Sequence, residues 1–161
     1  MIKTLANLCS LPLCVLGILV VSSCSTGVQT SSDPWEVAVR RGMELARRDM
    51  HGVSNPHAWC LSAAPESKVP PTSLRLALFK HDALPVYPAD RCTMDATTEF
   101  STPDGHRAWL LWGTVLDSTS TTSRIEVGYH AGSLLAASWI CELHQADATW
   151  NADHCELKWI S

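Results

Sequence analysis

The spacing of hydrophobic positions changes once along this chain. Trp35, Val39, Met43, Ala46 and Met50 recur every three or four residues, the period of one face of an α-helix. Asp33 can cap that helix, Pro34 suits its first turn, Glu36 completes a capping-box-like pattern and Gly52 is the expected stop. Arg40, Arg41, Arg47 and Arg48 fall mostly outside the stripe and read as a solvated face with Glu44 and Asp49 as local partners. From Cys92 the period becomes two: Cys92, Met94, Ala96, Thr98 and Phe100 alternate with polar neighbours, which predicts a half-buried strand. Four more strands are expected over Ala108–Leu116, Arg124–His130, Leu134–Leu143 and Trp150–Ile160, with Cys155, Leu157 and Trp159 on one side of the last. Thr102-Pro103-Asp104-Gly105 and the Ser/Thr-rich stretch 117–123 supply turn and loop chemistry between them.

The segment between these two halves is less regular. His51 to Pro56 reads as a turn and Ala58–Leu61 as a short strand or packed extended piece. Thr72 or Ser73 can cap a second short helix through Leu74, Ala77, Leu78 and His81, although Leu74, Leu76 and Leu78 also alternate as a strand would. The Pro-Pro-Thr-Ser entry favours the helix. Leu84 to Pro88 is extended, because proline disfavours helix in the residue before it. Helices followed by strands with short connections give an α+β class: an N-terminal helix across one face of a curved antiparallel meander of about five strands.

Ahead of this domain stands an apolar run from Leu11 to Val21, preceded by Lys3 and followed by Ser22-Ser23-Cys24. A charged start, greasy middle and small-residue exit are the layout of an export signal. Spanning a bilayer takes roughly 20 apolar residues, and Asn7 and Pro12 interrupt the early part. An uncleaved anchor helix and plain secretion are the competing readings. Val21-Ser22-Ser23-Cys24 resembles the lipobox of bacterial lipoproteins. That resemblance implies a diacylglyceryl group on Cys24, cleavage between Ser23 and Cys24, and acylation of the new amino group. Several acyl chains on one residue hold a protein to a membrane where one chain would not. The implied organisation is a signal peptide over 1–23, a lipidated cysteine and tether over 24–32, and one domain over 33–161. Ser25, where an Asp would favour inner-membrane retention, points to the outer membrane if the cell is Gram-negative. The domain would then face the periplasm.

Seven cysteines become interpretable once the leader is assigned. Cys9 and Cys14 leave with the signal and Cys24 carries lipid, so Cys60, Cys92, Cys141 and Cys155 remain as two bridges in an oxidising compartment. Three pairings are open; Cys60–Cys92 with Cys141–Cys155 is favoured because each bridge then joins neighbouring elements. The rival zinc reading lacks any Cys-x-x-Cys spacing. The 161-residue chain carries 12 Lys+Arg against 16 Asp+Glu. Losing residues 1–23 removes one base and no acid, which leaves 138 residues with net charge −5. An acidic domain without a basic patch argues against nucleic acid as a partner.

Candidate chemistry is sparse. None of the seven histidines forms His-x-His or His-Glu-x-x-His, although His144 and His154 flank the last turn with Asp147 and Asp153 between them. There is no Gly-x-Ser-x-Gly elbow and no phosphate-binding glycine loop, so neither a cofactor nor a metal is expected. Asp95, Glu99 and Glu126 lie on the polar phases of their strands and read as solvated. Trp109 and Trp112 have opposite parity on one strand, so one must face away from the helix, where it either packs in a second small cluster under a loop or stands exposed, as would suit sugar or protein contact. The two are the candidate binding surface.

A helix wrapped by a curved sheet also resembles cystatin-like and nuclear-transport-factor-like cones, and the Trp159-Ile160-Ser161 ending resembles exported bacterial domains with no assigned activity. The expected function is a lipid-anchored cell-envelope protein presenting a small non-enzymatic binding domain to an envelope protein or peptidoglycan-related partner. The alternatives are an inhibitor or immunity-type protein against a wall-degrading enzyme, and a small cone-fold enzyme with a deep apolar pocket between helix and sheet.

Overall fold

The computed structural model describes residues 31–49, 55–65, 69–96, 99–133 and 135–161. The signal segment 1–23, Cys24 with its cleavage partner Ser23, most of the tether 24–32, Met50 and Gly52 lie outside these residues.

In chain order the elements are α1 (Pro34–Asp49), β1 (Ala58–Ser62), α2 (Ser73–Ala77), β2 (Val86–Pro88), a 3-10 turn (Ala89–Arg91), β3 (Thr93–Met94), β4 (Phe100–Ser101), β5 (Arg107–Ser118), β6 (Thr122–His130), β7 (Ala136–Ala146) and β8 (Thr149–Ile160). Asp33 caps α1 by accepting the Trp35 backbone N–H at 2.8 Å, and Thr72 caps α2 by accepting that of Arg75 at 3.3 Å. Glu36 does not close a capping box; its carboxylate takes the Ser31 hydroxyl and the Arg40 guanidinium instead.

The class is α+β, but the sheet is larger and mixed. Eight strands form it, with the order β2-β1-β5-β6-β7-β8 and the β3–β4 hairpin attached to the start of β5. β5 to β8 make the antiparallel meander that the alternation predicts. β1 corrects the all-antiparallel expectation: it runs parallel to both β2 and β5. Parallel neighbours need a long crossover, so no local turn signal announces them. The alternating stretch from Cys92 to Phe100 is not one strand either. It folds back on itself, pairing Thr93 with Ser101 and Met94 with Phe100.

The described residues of α1's predicted stripe do what the period implies: Trp35, Val39, Met43 and Ala46 are buried against the meander. Gly42 lets the helix approach closely, since a Cβ there would lie 3.2 Å from Val127. Trp35 donates its indole N–H to the Gly113 carbonyl at 2.8 Å, and a Cβ at 113 would lie 2.8 Å from that same nitrogen. Beneath the helix four rings cross four strands: Trp59 meets Trp109 edge-on at 5.7 Å, Trp109 stacks on Tyr129 at 5.7 Å, and Tyr129 on Trp139 at 5.9 Å. Each such buried side chain stabilises the fold by roughly 1.5–3 kcal/mol, with about 0.5–1.5 more per aromatic pair.

Arg40 ties α1 to the short α2 segment. It bonds Glu36 at 2.7 Å, Asp82, and the Leu78 carbonyl at 2.9 Å, while its guanidinium lies over Phe79. Burial works against the charge, yet the hydrogen bonds it donates to Asp82 and Glu36 hold its pKa above the ordinary arginine value. The four arginines are therefore not one solvated face: Arg47 and Arg48 are exposed, but Arg40 is a structural tie. Both bridges join neighbouring elements, Cys60–Cys92 and Cys141–Cys155.

Candidate functional site

The sheet's two faces are unlike. One is sealed by α1 and the aromatic ladder; the other, turned away from the helix, holds a second apolar cluster around Cys60, Cys92, Phe100 and Leu110 at its β1 end and carries polar side chains over β6 to β8. Strand parity places Leu110, Trp112 and Thr114 of β5 on this second face, with Glu126, Gly128 and His130 of β6. The register then lines up Trp112, Gly128, Ser138 and Trp159 as one row across four strands. A neighbouring row holds Thr114, Glu126, Ile140 and Glu156.

Trp159 reaches this row only because the strand slips. Leu157 pairs with Trp139 and Trp159 with Ser138, so Lys158 is an extra residue in β8. Three residues predicted on one side are thereby divided, with Cys155 on the helix side and Trp159 on the other. The slip also delivers Lys158 to Glu126: its Nζ donates to Oε2 at 2.8 Å, and Ser138 Oγ donates to Oε1 at 3.0 Å. Glu126, expected to be solvated, is only 8 % exposed. The bonds to Lys158 and Ser138 offset the cost of burying its charge. Ser138 is fully buried and donates its hydroxyl hydrogen bond to a carboxylate that is already balanced, so it offers solvent no attacking oxygen.

Neither member of the candidate aromatic surface is available. Trp109 is 0 % exposed within the ladder, and Trp112, which does lie on the far face, is 1 % exposed. It lies against Gly128, while Ser62 pairs with it and Thr114 donates to the Ala63 carbonyl at 3.4 Å. The ring thus fills the row instead of standing proud of it. The half-exposed aromatic of the face is Trp159, whose ring lies 6.2 Å from that of His130.

Further along the same face the strands open a cavity of about 250 Å³ lined by Asp117, Ser123, Arg124, Glu142, His144 and Asp153 among others. A second slip between Glu142 and Leu143 makes Asp153 the extra residue there and sets its Oδ1 2.6 Å from His144 Nδ1. His144 and His154 do not pair with each other; His154 lies opposite Glu142 and His144 opposite Asn151. Arg124 stands 3.8 Å from Glu142. Across the face, the carboxylates of Asp117, Glu126, Glu142, Asp153 and Glu156 outnumber the cations Arg124 and Lys158. Among the described residues no three His, Cys, Asp or Glu side chains converge as metal ligands do, and no helix is long and apolar enough to cross a membrane. Glu99, also read as solvated, reaches Arg107 at 3.1 Å.

The Glu126–Ser138–Lys158 cluster is the part that sequence reasoning missed. The one available signal was Glu126 itself, a charge between Ile125 and Val127 beside the mostly apolar stretch Ala108–Leu116. Comparison of the chain with protein-family models, curated proteins and solved structures finds no match.

Proposed function

We propose that this chain is a lipid-anchored cell-envelope protein whose domain binds a cationic partner protein through the face of the sheet turned away from α1. Val21-Ser22-Ser23-Cys24 behind an apolar run supports the anchor, with Cys24 as the acylated residue. Two disulfides suit an oxidising compartment such as the periplasm. The observation that carries the binding reading is the asymmetry of the sheet: a sealed apolar face opposite one that, over β6 to β8, bears more carboxylates than cations. Such a field favours and steers a basic protein surface and disfavours nucleic acid and anionic lipid. The domain is a binding module, not an enzyme, in this reading; the polar groups beside Trp112 are spent on one another.

A second reading draws on the same acidic face. An enzyme that degrades the anionic cell wall gains from a cationic surface, and an acidic envelope domain of this size would suit an inhibitor of it.

Metabolic labelling with radioactive palmitate tests the anchor. Label is expected on the wild-type chain and lost in Cys24→Ser; an unlabelled chain that keeps its leader overturns it. Binding to purified cationic wall hydrolases, muramidase and amidase, tests the surface. Association that weakens with salt and with Glu142→Gln/Glu156→Gln supports the binding reading, and loss of hydrolase activity in the complex selects the inhibitor. Salt-insensitive association, or none with any cationic envelope protein, overturns the assignment of this face.

A further inference from the structure

We propose that the end of the domain at which α1 begins rests on the lipid surface that holds the anchor, with Val69, Leu74, Val115 and Leu116 entering its headgroup layer. The inference rests on the anchored reading above and adds a contact that an anchor alone does not require. Ser31 pairs with Trp150 at the start of β8, and its hydroxyl bonds Glu36 in the first turn of α1. Cys24 lies seven residues before Ser31, a reach of at most about 25 Å. Acyl chains on Cys24 therefore hold this end of the domain within about 25 Å of the bilayer.

Four large apolar side chains stand out around the first turn of α1. Val69, Leu74, Val115 and Leu116 are all between 42 % and 77 % exposed. Their neighbours bring them to one place. Trp35 bonds the Gly113 carbonyl, two residues before Val115. Arg75, beside Leu74, lies over the Trp35 ring and bonds Asp33 at 3.2 Å. Ala63 donates its N–H to the Val69 carbonyl at 2.8 Å, while its own carbonyl accepts from Thr114. β1 ends at Ser62, opposite Trp112, so no described strand covers the β5 edge at Val115 and Leu116. Single exposed apolar residues are ordinary, but a group of four beside the point of attachment marks a contact surface.

The polar groups at this end select the kind of lipid. The β5–β6 connection, 118–122, holds only Ser and Thr; Asp33 is balanced by Arg75, and Asp117 lies opposite Arg124. Asp147 in the β7–β8 turn tips these groups slightly acidic. The surface that fits is therefore zwitterionic phospholipid, because an anionic leaflet attracts basic segments and this end presents none. With this end down, β5 to β8 rise away from the bilayer, and the acidic face over β6 to β8 stays open to its partner.

Fluorescence quenching tests this in the full chain, expressed with its leader and reconstituted into phosphatidylcholine vesicles whose lipid carries a nitroxide at the headgroup boundary. A fluorophore on Leu74→Cys or Leu116→Cys should be quenched at least about twofold more than one on His106→Cys, which lies roughly 30 Å down β5 from Leu116. Adding Leu116→Glu to the Leu74→Cys chain should remove that excess without releasing the protein from the vesicles. Palmitate incorporation and vesicle flotation, read on the same material, score the anchor separately. An acylated, floating chain quenched equally at all three positions overturns the contact and leaves the anchor standing. Excess quenching at 74 and 116 in a chain that takes no palmitate supports the contact and overturns the anchor, and a chain that neither floats nor is quenched overturns both. Labels shielded only as protein density rises, without quenching by lipid, mean that a second copy covers this end, which also overturns the proposal.

Discussion

Trp112 lies so close against Gly128 that a Cβ at position 128 would sit 2.3 Å from the ring's Cζ2 and 2.7 Å from the Ala137 carbonyl oxygen. The glycine is a packing requirement: the neighbouring strand's indole occupies the space of its side chain. Gly128→Ala must displace either a fully buried tryptophan or the backbone of β7. The expected destabilisation is about 2–3 kcal/mol, the upper part of the range for overpacking, read from urea midpoints. A shift of less than about 0.5 kcal/mol would mean that the row across the far face is loosely packed.

The β7–β8 hairpin turns through two residues with left-handed backbone, Asp147 at φ 49° and Ala148 at φ 63°. Turns of this kind suit the twist of a two-residue hairpin, and glycine is the favoured second residue. Asp tolerates the conformation; Ala carries a Cβ strain of roughly 1–2 kcal/mol there. Ala148→Gly should stabilise the domain by about 0.5–1 kcal/mol, once the greater freedom of glycine in the unfolded chain is subtracted. Thermal unfolding of the two proteins measures it.

What could be read from the sequence was whatever depends on near neighbours. Trp35, Val39, Met43 and Ala46 announce their helix because all four meet the same sheet. The strands β5 to β8 alternate because one face packs on α1, and short connections hold them in order. The cysteine pairing followed from the same adjacency. Three features were hidden for a shared reason: each depends on a partner remote in the chain or on a single slipped residue. β1 pairs in parallel with β5 across more than forty intervening residues. The extra Lys158 moves Trp159 to the opposite face, which no fixed period of two can express. Glu126 looked solvated because the side chain that neutralises it arrives 32 residues later. Parity requires only that one of Trp109 and Trp112 lie on the far face; it is Trp112, and it packs there instead of standing exposed, because Gly128 leaves a space into which the ring lies down.

The two disulfides should contribute unequally. Cys60–Cys92 spans 32 residues and fastens the β3 region to β1, whereas Cys141–Cys155 spans 14 within an already paired hairpin. Loop-closure entropy gives about 3.7 kcal/mol for the first and about 3 for the second. Replacing each pair by serine and comparing denaturant midpoints should rank Cys60→Ser/Cys92→Ser as the more damaging. The residual structure of the second hairpin in the unfolded chain would widen the gap, because less freedom is left there for the bridge to remove.

Alkaline pH should unfold this domain through Tyr129. Its phenol lies in the middle of the ladder, between Trp109 and Trp139. Burial raises its pKa above the ordinary value of 10.0, and the negative charge of Asp49 adds to the effect. In the unfolded chain the phenol ionises near pH 10, while in the native state it still holds its proton. The native state binds more protons over that interval, so stability is complete below about pH 10 and falls as pH rises through it, until the folded phenol also ionises. Tyr129→Phe removes that slope and keeps the ring. The variant's unfolding midpoint, whatever its value at pH 8, should fall less steeply than the wild type's between about pH 9.5 and 11. Parallel slopes would mean that other groups, Tyr87 with its bond to Asp104 among them, drive the loss, and that the ladder admits a phenolate without cost.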